Sequence, residues 1–199
     1  MARPILLASG SEIRQTLLRN AGVIFETEAV KIDEVAVRDA MLAEAAPPRD
    51  IADTLAEMKA IKQSGKRPEA LVIGCDQVLS FEGLVLSKPE SKDAALHQLK
   101  KMRGKRHELY SAVVICENAK PIWRYVGVVR LTMRDASDAY LNGYVARNWD
   151  SIRHSVGAYK LEEEGVRLFV QIHGDYFTVL GLPLLEVLSY LSLQGELET

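Results

Sequence analysis

A chain of 199 residues, 48% apolar and 26% charged, has the size and makeup of one soluble α/β domain over 1–199, or of two closely packed lobes. Its formal net charge of −2 argues against a protein that coats a nucleic-acid polymer, whose phosphate contacts need a basic excess, and leaves room for a local pocket holding one small anion. No run approaches the ~20 apolar residues of a membrane span, and Cys75 and Cys116, in no C-x-x-C pair, build no disulfide framework, so the chain reads as soluble and cytoplasmic.

Residues 5–8 form a short apolar strand. The turn Ser9-Gly10-Ser11 follows, then a helix with Ser11 as its N-cap and Leu17, Leu18 and Ala21 as its inward stripe, stopped at Gly22. Residues 25–30 are a second strand, and Lys31-Ile32-Asp33-Glu34 is a loop after it. A helix opens at Pro48, where a missing amide donor does no harm, and carries Ile51, Leu55, Met58 and Ile61 on one face. Residues 70–79 are a strand, apolar until Asp76 interrupts it, and residues 84–86 pair back onto it after Gly83. Ser91 caps a helix with Ala95, Leu99 and Met102 inside, ended by Gly104. Residues 107–116 and 121–133 are strands joined at Glu117-Asn118; the second alternates Trp123, Tyr125, Val129, Leu131 and Met133 on one face. Asp135 or Ser137 caps a helix containing Tyr140, Leu141, Tyr144 and Val145. Residues 166–173 and 176–180 read as late strands, and Pro183 opens a final helix through Leu193. Alternating strands and helices make the class α/β, with at least one antiparallel hairpin.

Four places invite chemistry. At Ser9-Gly10-Ser11-Glu12-Ile13-Arg14 a strand turns into a helix start, whose free amides and dipole attract phosphate. Arg14 in that first turn opposes the dipole, a conflict an anion would remove; a capped helix with a solvated arginine is the plainer reading of this segment alone. The segment lacks the glycines of a dinucleotide fingerprint and the Gly-Lys-Ser/Thr of a P-loop. Asp76 ends the apolar run Leu71-Val72-Ile73-Gly74-Cys75, where a carboxylate is costly to bury without a metal, a lysine or a substrate water; a strand-end Asp bonded to a neighbouring turn fits equally. Lys59, four residues after Leu55, either snorkels from the edge of a buried stripe or faces a site, and Lys88 precedes Pro89 and a helix cap. The four histidines have no metal-ligand spacing.

The ordered segments Leu7-Ala8-Ser9-Gly10-Ser11 with Arg14, Asp33-Glu34, Leu55 to Ala60, Gly74-Cys75-Asp76, Ser87-Lys88-Pro89, Leu99 to Gly104 with His107, Gly157-Ala158-Tyr159, Ile172 to Tyr176 and Val179 to Leu184 resemble the Maf family of nucleotide pyrophosphatases along nearly the whole chain. The resemblance implies an elongated mixed sheet flanked by helices, with two lobes and a central cleft, related to the inosine-triphosphate pyrophosphatases. It implies hydrolysis of a nucleoside triphosphate between the α and β phosphates with Mg²⁺, Mn²⁺ or a similar ion. By motif position Asp76 is the general base. Ser9, Ser11, Arg14, Lys59 and Lys88 bind phosphate, and Glu34 and Asp76 hold the metal. A homodimer is expected. Ile13, Gln77 and Glu162 fall at substrate-sorting positions. Gln77 and Glu162, with Lys160 nearby, resemble the branch acting on 7-methyl-GTP, whereas Ile13 departs from the Trp usual there, which would stack on a charged methylated base. A dTTP- or UTP-preferring enzyme, a phosphatase removing only the terminal phosphate, and a nucleotide-binding regulator of cell division with little turnover are the competing readings.

Overall fold

The computed structural model describes residues 3–198. Its elements run β1 (Ile5–Leu7), α1 (Glu12–Asn20), β2 (Glu26–Thr27), α2 (Glu34–Ala43), α3 (Pro48–Ser64), β3 (Leu71–Phe81), β4 (Leu84–Leu86), α4 (Lys92–Met102), β5 (Arg106–Glu117), β6 (Lys120–Met133), α5 (Asp138–Ile152), β7 (Phe169–His173), α6 (Tyr176–Val179) and α7 (Leu184–Leu193). Seven strands form one mixed α/β sheet in the order β2-β1-β3-β5-β6-β7, with β4 on β3. The three residues of β1 are all buried, as expected of a strand with parallel neighbours on both sides, here β2 and β3. Among the described residues no helix is long and apolar enough to cross a membrane.

The chain divides into two compact units. One comprises residues up to Gln77, Ser111–Gly127 and the stretch from Tyr176 on; the other comprises Val78–Tyr110 and Val128–Asp175. In the first, Leu6, Leu7, Ile51, Leu55, Leu71, Val72 and Ile73 are buried, each worth about 1.5–3 kcal/mol of apolar transfer. Arg3 clasps this unit by pairing with Glu117 at 2.9 Å and Glu196 at 2.6 Å. In the second, α4 packs on α5 and on the 3₁₀ turn Val156–Ala158. There His107 is buried, with its Nε2 2.8 Å from the Tyr159 hydroxyl and its ring against Phe169.

Most caps follow the expected chemistry. Ser91 Oγ accepts from the Ala94 amide and Ser137 Oγ from the Tyr140 amide, which decides between Asp135 and Ser137. Asn118 and Ala119, both at left-handed φ, make the two-residue hairpin turn whose twist suits the flanking strands, one residue later than Glu117-Asn118.

Several expectations are corrected. The second strand covers only Glu26–Thr27. Glu34 lies not in a loop but at the start of α2, capped by Asp33 Oδ1, which accepts from the Ala36 amide. Residues 176–180 hold one turn of helix instead of a strand, and 164–168 are 3₁₀ before β7; the aromatic and β-branched composition of 176–179 is overridden by tertiary contacts of Thr178 and Val179. The inner face of α3 is rotated from the expected one. Ala52, Ala56, Lys59, Ala60 and Gln63 join Ile51 and Leu55 inside, while Met58 is exposed. On β6 only the second half of the alternating face, Val129, Leu131 and Met133, is buried; Tyr125 is exposed, and Trp123 stacks at 4.9 Å on Tyr190.

Candidate active site

The rotated face of α3 is explained by Gly74. A Cβ at that position would fall 2.2 Å from the Ala56 carbonyl and 2.8 Å from the Ala60 Cβ, so a glycine on β3 opposite small residues on α3 lets helix and strand touch backbone to backbone. Asp76 stands two residues further along the same strand, hence on the same face, and Lys59 precedes Ala60. The contact therefore delivers Lys59 Nζ to 2.7 Å from Asp76 Oδ1. Both residues are only 7% exposed. Neither plain alternative survives: Lys59 is not snorkelling, and Asp76 sits within a strand that continues to Phe81. The same ammonium lies 2.6 Å from Glu34 Oε1, at the first position of α2. Burial pushes the Asp76 carboxyl above its usual range; Lys59 and, less strongly, Arg14 pull it back, while Glu34 adds to the rise.

The turn before α1 supplies the other cation. Arg14 is half-buried. Its Nε donates to the Gly181 carbonyl at 2.8 Å, and its Nη1 donates to the Cys75 carbonyl at 3.2 Å and to Ser9 Oγ at 3.3 Å. These acceptors answer the conflict between a cation and the positive end of a helix and exclude the solvated alternative. Among the described residues Arg14 Nη2 has no hydrogen bond, so one edge of the fork stays available for an anion. Ser11 occupies the N-cap position without a side-chain capping bond; its amide donates instead to Ser9 Oγ at 3.3 Å.

Gln77 faces the opposite way from Asp76. Its Nε2 donates to Ser111 Oγ (2.9 Å), the Val179 carbonyl (2.9 Å) and the Thr178 carbonyl (3.2 Å), while Ser111 Oγ itself donates to the Thr178 carbonyl at 2.7 Å. Carbonyls accept only, so the amide orientation is determined: nitrogen inward, Oε1 the other way.

Thus one unit gathers Ser9, Arg14, Glu34, Lys59 and Asp76 around β3, with Ser11, half-buried Ile13 and Gln77 on the flanking segments. Lys88 and Glu162 belong to the other unit; both are exposed, with no ion pair or hydrogen bond among the described residues. Gly74, Gly181 and Ser111 are site components the sequence reading missed. The available signals were a glycine inside an apolar strand, a glycine two residues before Pro183, and the one hydroxyl opening the run 111–116.

The residues present fit a divalent cation. A cation, the Lys59 ammonium, already stands within 2.7 Å of two carboxylates from separate elements. Carboxylate oxygen is the donor Mg²⁺ and Mn²⁺ prefer, and Mg²⁺ commonly takes only one or two such ligands beside substrate phosphates. Among the described residues no group of three or more His, Cys, Asp or Glu side chains forms a metal cluster; Glu34 and Asp76 are the two carboxylates that would hold such an ion.

A sequence model described as Maf-like protein matches residues 4–194. A nucleoside triphosphate pyrophosphatase of Ruegeria sp. (strain TM1040) is 67% identical over 198 residues, covering 100% of both chains. One of the same name from Roseobacter denitrificans is 66% identical over 197 residues, covering 99% of both. A 7-methyl-GTP pyrophosphatase of Brucella abortus is 46% identical over 191 residues, covering 96% of both.

Proposed function

The chain belongs to the Maf-like protein family, and from that premise we propose that it hydrolyses a nucleoside triphosphate between its α and β phosphates, yielding nucleoside monophosphate and pyrophosphate. The observation that carries this reading is the buried carboxylate of Asp76 held 2.7 Å from Lys59, next to a residue whose carbonyl binds Arg14. The acid thereby feels two cations, Lys59 foremost and Arg14 less strongly.

Asp76 accepts the proton of the attacking water. Burial raises its carboxyl, which makes the ionised form a stronger base. Arg14 grips phosphate oxygens through its unengaged edge, and the amides around Ser9 and Ser11 at the start of α1 add backbone donors. Lys59 and Lys88 contribute point charges toward the triphosphate. Glu34 and Asp76 would hold a divalent ion, whose chemistry there would be to offset the charge that grows on the departing pyrophosphate.

We place the base preference with 7-methyl-GTP, the substrate in the name of the Brucella abortus relative, on Gln77 and Glu162, while Ile13 departs from that branch. The fixed amide of Gln77 supports this, because it offers an acceptor of the kind guanine's ring N–H and amino group match. Glu162 accepts from the same edge or balances the charge of a methylated base. The reading also carries a cytoplasmic location, which the two free thiols support, and a homodimer, to be tested by light scattering.

The test is a panel of normal and methylated triphosphates with Mg²⁺ or Mn²⁺, analysed for products. Pyrophosphate with monophosphate is expected. Orthophosphate with diphosphate would make the protein a terminal phosphatase, and tight binding without turnover would make it a regulator. Preference for dTTP or UTP would overturn the base assignment.

A further inference from the structure

The position of Lys59 has a consequence for metal binding. Its ammonium pairs with Glu34 at 2.6 Å and with Asp76 at 2.7 Å. It stands where a divalent ion bridging the same two carboxylates would have to stand. Lys59 and Asp76 are fixed, because α3 and β3 meet at Gly74 without room for a methyl group. Glu34 is the movable partner: it opens α2, a helix with no fully buried residue, and such thinly packed segments open most easily. Two carboxylates and one ammonium leave a net charge of −1, which attracts a divalent ion. An ion bound there with the ammonium in place would put like charges side by side in a poorly solvated pocket.

We infer that Lys59 is the resident counter-cation of the Glu34–Asp76 pair and competes with the divalent ion for it, so that the ammonium transfers from the carboxylates to the triphosphate when metal and nucleotide bind together. The inference rests on the proposed reading of Glu34 and Asp76 as metal ligands. Without nucleotide the released ammonium has no new acceptor, so the metal alone binds weakly. With nucleotide, its phosphates take the ammonium and the two ligands favour each other's binding.

The experiment titrates Mn²⁺ alone, without nucleotide, into the wild-type protein, Lys59→Met and Lys59→Arg, at fixed pH and ionic strength, reading free Mn²⁺ by electron paramagnetic resonance. Removing the competing charge in Lys59→Met lowers the Kd by about tenfold or more, whereas Lys59→Arg, which keeps a cation there, stays within about threefold of wild type. A Kd for Lys59→Met that is unchanged or higher overturns the inference. Because Lys59→Met leaves two carboxylates uncompensated, thermal melts with and without Mn²⁺ give a second readout. The metal-induced rise in Tm is larger in Lys59→Met than in wild type, and an equal or smaller rise overturns the inference. Pyrophosphate release by the wild type separates the two ideas. If wild type releases pyrophosphate while Lys59→Met leaves Mn²⁺ affinity unmoved, the competition is wrong and the function stands; if Lys59→Met tightens Mn²⁺ but wild type releases none, the competition stands and the function is wrong.

Discussion

Arg14 and Gly181 are matched at atomic distance: the Arg14 Nε donates to the Gly181 carbonyl at 2.8 Å, and a Cβ on Gly181 would fall 3.1 Å from Nη2 and 3.2 Å from Nε. Gly181 also holds φ +94, a conformation that L side chains rarely adopt. Both steric freedom and the open edge of the guanidinium therefore depend on the absent side chain.

Gly181→Ala should consequently cost about 1–3 kcal/mol through backbone strain and push the guanidinium from its position. If Arg14 grips the triphosphate, KM rises more than kcat falls. Steady-state kinetics beside a thermal melt would check this; a variant with lowered Tm but wild-type KM would remove Arg14 from substrate binding.

Asp76→Asn keeps the side-chain shape but removes the base. Turnover should fall by about 10²-fold or more while circular dichroism stays native. Full turnover at saturating metal and substrate would end the assignment of Asp76.

Gly74→Ala attacks the same pair from a distance. A methyl group 2.2 Å from a carbonyl oxygen forces α3 off β3, costing about 1–3 kcal/mol or more as overpacking. It also parts Lys59 from Asp76, so activity at a temperature well below the melt should drop as well. Retained activity in a destabilised variant would mean that the spacing of the ion pair is not critical.

His107 predicts a pH dependence of stability. Burial lowers its pKa from 6.5 to about 4, so between those values the unfolded chain binds a proton that the folded chain does not. The neutral, buried imidazole is therefore at no disadvantage above pH 6.5, and stability is lost as pH falls toward 4, by up to about 3 kcal/mol. Urea unfolding across pH 7 to 4 should lose part of its slope in His107→Gln; an identical slope would assign the effect to other groups.

Gln77→Glu would set a carboxylate oxygen against the carbonyls of Thr178 and Val179, which now accept from Nε2. A buried acceptor facing acceptors costs about 1–3 kcal/mol, so the variant should melt lower, and more so at pH 8 than at pH 5. A Tm independent of pH would contradict the amide orientation.

Much of this was legible in the chain. Pro48, Ser91 and Ser137 announce helix starts through local hydrogen-bond chemistry, and the apolar run before Asp76 announces a buried strand. What stayed hidden depends on partners remote in sequence. Helix α2 escaped because none of its residues is buried, so it carries no stripe to read. Residues 176–179 favour a strand by composition, and only contacts with Gln77 make them one helical turn. The inward turn of Lys59 follows from Gly74, fifteen positions later, and no periodicity within α3 reveals it.

Cys75 lends its carbonyl to Arg14, but its thiol is completely enclosed, as is that of Cys116, and burial pushes both up to about 11. Neither sulfur is a nucleophile at neutral pH. The two thiols are instead a built-in clock, since an alkylating reagent reaches them only when this half of the molecule opens, and its rate of capture times that opening.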